Sequence, residues 1–205
     1  MRLYFVRHGQ SGANVLRVIS NRGLVHPLTE LGRQQAAQLT QSLAELPVAR
    51  IYSSPLLRAR QTAEILAAAM GTPFEITDAL REFDCGMAEG RSDEEAWALW
   101  RWVMDEWLDH GRFDSRIDSG ESYRDIQARF VPFVEQLVHD WRNSADNLIL
   151  LGHGGLFLTM LPLVLSNIDV AFVGSHSISN TGAIIAELRP SGLVCLEWCG
   201  EVLAD

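Results

Sequence analysis

Cysteine is scarce in this chain: Cys85, Cys195 and Cys199 are the only three in 205 residues, and no two form a CxxC pair. That usage sets aside a disulfide scaffold and suits reduced, buried, inert thiols in a reducing compartment, the cytoplasm. Long apolar runs are missing too. Only four consecutive apolar residues precede Arg7, too few for a secretory leader. From Leu148 to Ile168 the sole titratable residue is His153, but Gly152-His153-Gly154-Gly155 divides the stretch into a strand-length and a helix-length run. Neither reaches the ~20 apolar residues that a membrane span needs. The net charge is −9 and no basic stripe occurs, which excludes a nucleic-acid surface. The spacings HxH, HxxxH and HExxH are absent, and Arg7 beside His8 repels a cation, so neither a metal nor another cofactor is expected. There is no internal repeat, low-complexity tract or linker.

What is present is ordinary globular material, 47% apolar and 21% charged, enough for one core in a single domain over residues 1–205. Two short apolar runs end in the same way. Leu3-Tyr4-Phe5-Val6 stops at Arg7-His8-Gly9, and Leu148-Ile149-Leu150-Leu151 stops at Gly152-His153-Gly154-Gly155. Bounded runs of this kind read as buried strands, and glycine straight afterwards lets the backbone turn close to a ligand. In an open α/β sheet ligands bind at the carboxyl ends of strands, so His8 and His153 are both candidates for the mouth of one site.

Between these ends, strands alternate with helices. Thr29 is placed as the N-cap of a helix running to Pro47; Ile51-Tyr52 is a second strand, Leu56–Met70 a helix stopped by Gly71, and Phe74–Thr77 a third strand. Arg81–Gly90 reads as an acidic loop, and Asp93–Leu108 as a helix carrying Trp97, Trp100, Trp102 and Trp107. Trp97, Trp100, Met104 and Trp107 share one helix face, which reads first as packing on the body. A long helix ends near Arg142, a helix over Leu156–Leu165 follows the second glycine-histidine step, and two strands near Ala183–Leu188 and Leu193–Trp198 close the chain. The expected fold is α/β: a three-layer α/β/α sandwich on a mostly parallel sheet, with a helical cap inserted over about residues 91–125. The closing strands leave an edge at which two copies of the chain can pair into a homo-oligomer.

Transferring a phosphoryl group requires positioning and fixed positive charge, because the group carries about two negative charges spread over its oxygens. Arginine meets that need with a planar fork that stays protonated. A neutral imidazole can attack phosphorus while its other nitrogen donates to a carbonyl, and a nearby arginine keeps the attacking nitrogen unprotonated. Arg7-His8 supplies such a pair.

Several blocks then occur in order. They are Leu3-Tyr4-Phe5-Val6-Arg7-His8-Gly9-Gln10-Ser11 with Asn14, then Pro27-Leu28-Thr29-Glu30-Leu31-Gly32 with Gln35-Ala36, then Ser53-Ser54-Pro55-Leu56-Leu57-Arg58-Ala59-Arg60-Gln61-Thr62-Ala63. Leu80-Arg81-Glu82 leading to Gly86 and Glu89-Gly90, Gly120-Glu121-Ser122, and Gly152-His153-Gly154 complete the series. Taken together, the chain resembles the histidine phosphatase superfamily, the group that includes the cofactor-dependent phosphoglycerate mutases. The resemblance implies that His8 is the nucleophile that forms a phosphohistidine. It makes Arg7, Arg58 and a protonated His153 the phosphate clamp, adds Asn14 as a neutral donor, and gives Glu82 the role of general acid and then base. His26 stands where many relatives carry Asp. Arg22 is an extra cation for a second phosphate or a carboxylate, and Thr181, in Asn180-Thr181-Gly182, resembles a family position near the pocket.

The implied activity is phosphomonoester hydrolysis, with mutase-type phosphoryl transfer as the alternative. Mutases of this family carry a longer insertion between the acid and the second histidine, with paired basic residues. Between Glu82 and His153 this chain has Arg91, Arg101, Arg112, Arg116, Arg124 and Arg129 but no adjacent basic pair, which favours hydrolysis. Sugar phosphates, phosphoglycerate-type acids, α-ribazole phosphate and phosphoamino acids or phosphoproteins all remain open as substrates. The acidic surface and the tryptophan-bearing cap point to a small phosphorylated molecule.

Overall fold

The computed structural model describes residues 1–203. Seven strands form one sheet in the order β3-β2-β4-β1-β5-β6-β7. β1 (Arg2–Arg7), β2 (Val48–Ser53), β3 (Phe74–Ile76) and β4 (Asn147–Gly152) run parallel, whereas β5 (Ala183–Arg189), β6 (Gly192–Trp198) and β7 (Glu201–Val202) add on antiparallel. The sheet is therefore mixed, parallel on the side that carries the two glycine-histidine steps. On the other side Pro190-Ser191 closes a tight connection between β5 and β6, and such a connection permits only antiparallel pairing.

Seven helices cover the faces: α1 (Gly12–Leu16), α2 (Glu30–Leu43), α3 (Leu57–Met70), α4 (Glu94–Leu108), α5 (Tyr123–Trp141), α6 (Gly154–Val164) and α7 (Val170–Ser175). The alternation along β1 and β4 assigns them to layers. Tyr4, Val6, Ile149 and Leu151 pack with Ala36 and Leu43 of α2 and Ala63 and Leu66 of α3. Leu3, Phe5, Leu148 and Leu150 point the other way, into a larger core with residues of α4, α5 and α6. β4 is buried along its whole length, as a central parallel strand must be.

Local signals set the helix ends. The Thr29 hydroxyl accepts from the Gly32 amide and caps α2, the Ser122 hydroxyl accepts from Asp125 at the start of α5, and Gly71 ends α3 at a φ of +65°. α1, α7 and β7 are short additions beyond the elements that periodicity foresees. The stretch expected as a cap holds α4 and the loop before α5. Val103, Met104 and Trp107 of α4 lie in the same core cluster as Ile126 and Phe130 of α5. Among the described residues, no helix is long and apolar enough to cross a membrane.

Candidate active site

The register of the sheet brings the histidines together. In the β1–β4 ladder Arg7 lies opposite Gly152, so the residue after each strand end, His8 and His153, falls at the same height. Their ring centroids are 5.1 Å apart. Next to β4, Ser53 of β2 pairs with Leu151, and the Ser54 amide donates to the Leu151 carbonyl at 2.9 Å. Three adjacent parallel strands thus present His8, His153 and Ser54 along one edge. The turn after β2 leads straight into α3, whose first turn carries Arg58 into the same space.

His8 is buried and its tautomer is fixed. Nδ1 lies 2.7 Å from the Gly9 carbonyl, which can only accept, so Nδ1 carries the proton. Nε2 is left with its lone pair and accepts from Arg58 Nε at 2.9 Å. Burial, followed by the charges of Arg58 and Arg7, holds the His8 pKa well below the ordinary imidazole value. Arg58 is itself clamped: Nη1 donates to the Ser20 carbonyl at 2.6 Å and Nη2 to Asn21 Oδ1 at 3.3 Å. Burial brings its pKa down to about 10, and it stays charged at neutral pH. Arg7 is tethered through Nη1 to the Ile178 carbonyl at 2.6 Å, and its buried Nε has no protein partner.

His153 is held at the opposite nitrogen. Its Nε2 lies 2.7 Å from Ser54 Oγ, which also accepts from the Leu56 amide. The hydroxyl proton can donate to Nε2, and in that tautomer the imidazole proton sits on Nδ1. His153 Nδ1 is buried without a protein partner. The expectation of a protonated His153 needs correction for the protein by itself. Burial first, then Arg58, His8 and Arg7, push its pKa well below the usual value, so it is neutral. A neutral Nδ1–H still donates, and an anion placed among these groups would raise the pKa again.

Glu82 reaches the cluster from the segment after the 3-10 turn Asp78–Leu80. Its carboxylate accepts from the Phe83 amide at 3.1 Å and, at the start of α6, from the Gly155 amide at 2.9 Å. A Cβ at 155 would stand 2.8 Å from Phe83 Cε1 and 2.9 Å from Glu82 Oε1, so a side chain there would displace the acid. Burial raises the Glu82 pKa above the usual carboxylate range, outweighing the pull of these amides and of Arg58. Asn14 is the third residue of α1, and its Oδ1 accepts from the Ser11 amide and hydroxyl and from Asn180 Nδ2. The amide is thereby oriented with its two N–H donors free.

A cavity of about 300 Å³ opens here, and Arg7, His8, Asn14, Arg58 and Glu82 all line it. Arg22 is not among the lining residues; its guanidinium is bound to Asp84 and the Ser119 carbonyl. Thr181 acts through its backbone: its amide donates to the Arg7 and His8 carbonyls, while its hydroxyl turns to the Asn180 carbonyl at 2.7 Å. His26 packs near Gly12, outside the cavity. Sequence reasoning passed over Ser54 and Asn180, and took Asn21-Arg22 as a substrate contact or a loop cap, whereas Asn21 lines the cavity and accepts from Arg58. The signal for Ser54 lay in its position at the end of a strand neighbouring the second histidine. The tryptophans divide: Trp107 is core, as the amphipathic face suggested, whereas Trp97 and Trp100 line the cavity. Among the described residues, no three His, Cys, Asp or Glu side chains cluster as a metal would require.

A parallel-stranded edge carrying two histidines, a buried and a half-buried arginine and one carboxyl of raised pKa is the kind of site that defines histidine phosphatase-type proteins. The chain belongs to the histidine phosphatase superfamily (branch 1), whose family model matches residues 3–200. A probable phosphoglycerate mutase, GpmB, from Escherichia coli O1:K1 is 36% identical over 135 residues, which is 63% of this chain and 59% of that protein. The match therefore spans about three-fifths of the relative's length. Among solved structures, Bacillus stearothermophilus YhfR superposes with a TM-score of 0.82 at 27% identity, covering 98% of each chain. A mycobacterial glucosyl-3-phosphoglycerate phosphatase complexed with VO3 gives 0.80 at 26% identity over 95% of each.

Proposed function

We propose that this protein is a phosphomonoesterase that hydrolyses a small phosphate ester through a phosphohistidine on His8. The observation that carries this reading is the fixed tautomer: Nδ1 is committed to the Gly9 carbonyl, and the Nε2 lone pair faces the arginine end of the cavity. The ester phosphate takes over the Arg58 Nε–H now bonded to Nε2, together with Arg7 Nε–H and His153 Nδ1–H, both buried and without a protein partner. Nε2 then attacks phosphorus as the ester P–O bond breaks, and Glu82, whose burial favours the protonated form, gives a proton to the departing alcohol oxygen. In the second half Glu82 takes a proton from water, whose oxygen attacks phosphorus, and the P–N electron pair returns to Nε2. No metal enters either half. The reading places the reaction on a small phosphorylated substrate in the cytoplasm.

The similarity to a probable phosphoglycerate mutase supports a second reading, in which the phosphoryl group returns to another hydroxyl. One assay separates the two. A panel of phosphate esters, 3-phosphoglycerate among them, is incubated with wild type and His8→Ala in the presence of chelator and followed by phosphorus NMR. Hydrolysis predicts inorganic phosphate that persists with chelator and disappears in His8→Ala. Conversion of 3-phosphoglycerate into another monoester without phosphate release would favour the mutase. Phosphate release that needs a divalent metal, or that survives in His8→Ala, would overturn the mechanism. Glu82→Gln should slow alkyl esters by about 10²–10⁴-fold and a nitrophenyl ester far less, since nitrophenolate leaves without a proton.

A further inference from the structure

The cavity has two unlike ends. All its formal charge, on Arg7, Arg58 and Glu82, lies at the strand edge with the histidines; the rest of the wall carries Val18, Ile19, Trp97, Trp100, Leu158 and Ile178, with the uncharged polar residues Asn14, Ser20, Asn21 and Ser177. The two indoles meet edge to face with centroids 6.0 Å apart, and Trp100 stacks on Phe83, the residue next to Glu82, at 6.3 Å. Trp97 spends its only polar atom on the protein, donating Nε1–H to the Arg17 carbonyl at 2.9 Å. What faces the cavity there is apolar and aromatic surface beside the point where the acid delivers its proton.

No cation lines this end of the cavity, and two of the arginines beside it are already paired. The chain has no lysine, so any further cation must be an arginine. Arg22, next to Asn21 in the lining, is paired with Asp84. Arg91, whose carbonyl bonds to the Ile19 amide, is paired with Asp93 and Glu95. Arg17 is exposed and does not line the cavity. A substrate carboxylate or second phosphate there would thus be desolvated beside indole and aliphatic carbon with no cation to pair with, which is costly. A flat apolar group would gain burial and ring contact in the same place.

We propose that the cavity selects phosphate monoesters of uncharged alcohols carrying a flat apolar group, and discriminates against substrates with a second anionic group. This rests on the reading that the arginine end holds the phosphate. Trp100 and Trp97 are the specificity-determining residues, and Leu158 and Ile178 complete the apolar wall.

The test uses alkyl esters of similar leaving alcohols, so that chemistry does not mask recognition: 2-phenylethyl phosphate, ethyl phosphate and 3-phosphoglycerate. The kcat/KM for the phenylethyl ester should exceed that for 3-phosphoglycerate by tenfold or more. Trp100→Ala should reduce the phenylethyl-to-ethyl ratio about tenfold, mainly through KM, and Trp100→Phe should restore most of it. Calorimetry on the wild-type protein supplies an arm that needs neither turnover nor a variant. There, 3-phenylpropylphosphonate should bind at least tenfold more tightly than 3-phosphonopropionate. A preference for the carboxylate compound in either arm would overturn the proposal, as would an unchanged phenylethyl-to-ethyl ratio in a folded Trp100→Ala. Tight phenylpropylphosphonate binding with no ester hydrolysed would instead sink the phosphatase reading and leave the selectivity standing.

Discussion

β1 and β4 lie side by side and both end in a histidine followed by glycine, but the two imidazoles are tied at opposite nitrogens. His8 is fixed through Nδ1 by a carbonyl of its own turn, which exposes Nε2 as a lone pair to the arginines. His153 is fixed through Nε2 by the Ser54 hydroxyl from a third strand, which leaves Nδ1 as the free atom. Sheet register alone makes the two strand ends equivalent. The attached partner separates them, because a carbonyl forces a proton onto the nitrogen it touches while a hydroxyl can donate one. In the proposed mechanism that difference is what assigns attack to one ring and phosphate holding to the other.

The largest effect expected from this difference is kinetic. His8→Ala removes the attacking atom, and ester hydrolysis should fall to the background rate. His153→Ala removes one donor from a clamp that keeps Arg7 and Arg58, so kcat should drop by about 10²–10³-fold with measurable turnover remaining. Rapid-quench trapping of a phosphorylated protein sharpens the contrast. The adduct should be absent in His8→Ala, and in His153→Ala it should still form, more slowly. Equal losses in both variants, with no adduct in either, would mean that the two rings are not differentiated in this way.

Much of this arrangement was legible in the sequence, and the reason is local. Strand ends with glycine announce themselves through short apolar runs, and the Arg7-His8, Arg58, Glu82 and His153 blocks lie within such punctuation. The parallel pairing of β1 with β4, which the reading required, follows from two buried runs of similar length joined by helices. Ser54 and Asn180 were not legible as partners, because each meets its histidine only through the ladder order, and that order is a property of the whole sheet. The tryptophan face was read from helical periodicity, which marks which residues point inward but not what they meet. Trp107 meets core, while Trp97 and Trp100, two or three turns nearer the start of α4, meet the cavity. The resemblance describes a protonated His153 with a phosphate bound, whereas in the protein by itself burial among guanidinium groups lowers its pKa.

A second expected effect concerns stability and treats the two rings alike. Both histidines are buried with pKa values well below 6.5 in the folded protein. As the pH falls below about 6.5 the unfolded chain binds protons at these positions and the native chain does not, so stability declines toward acid and is unaffected by these groups above that point. Each contributes a slope of up to about 1.4 kcal/mol per pH unit. Glu82 acts in the opposite sense: its raised pKa adds stability at low pH that is lost as the pH rises through the folded value. Urea unfolding between pH 7 and 5 should therefore show a shallower decline for His8→Gln and for His153→Gln than for wild type. Unchanged slopes would mean that one or both rings are charged in the fold.

The smallest effect isolates the partner that makes the rings differ. Ser54→Ala removes the hydroxyl that holds His153 Nε2, leaving the Nδ1–H tautomer unenforced while the ring stays buried. One hydrogen bond of this kind contributes about 0.5–1.5 kcal/mol, so kcat/KM should fall about three- to tenfold. The same hydroxyl accepts from the Leu56 amide at the start of α3, and a loss of Arg58 positioning could produce a similar number. A double-mutant cycle distinguishes the two causes. If Ser54 acts through His153, adding Ser54→Ala to His153→Ala costs nothing further in kcat/KM. If it acts through α3, the two losses multiply, and the Ser54 hydroxyl would then be an anchor for Arg58 rather than the partner that assigns His153 its role.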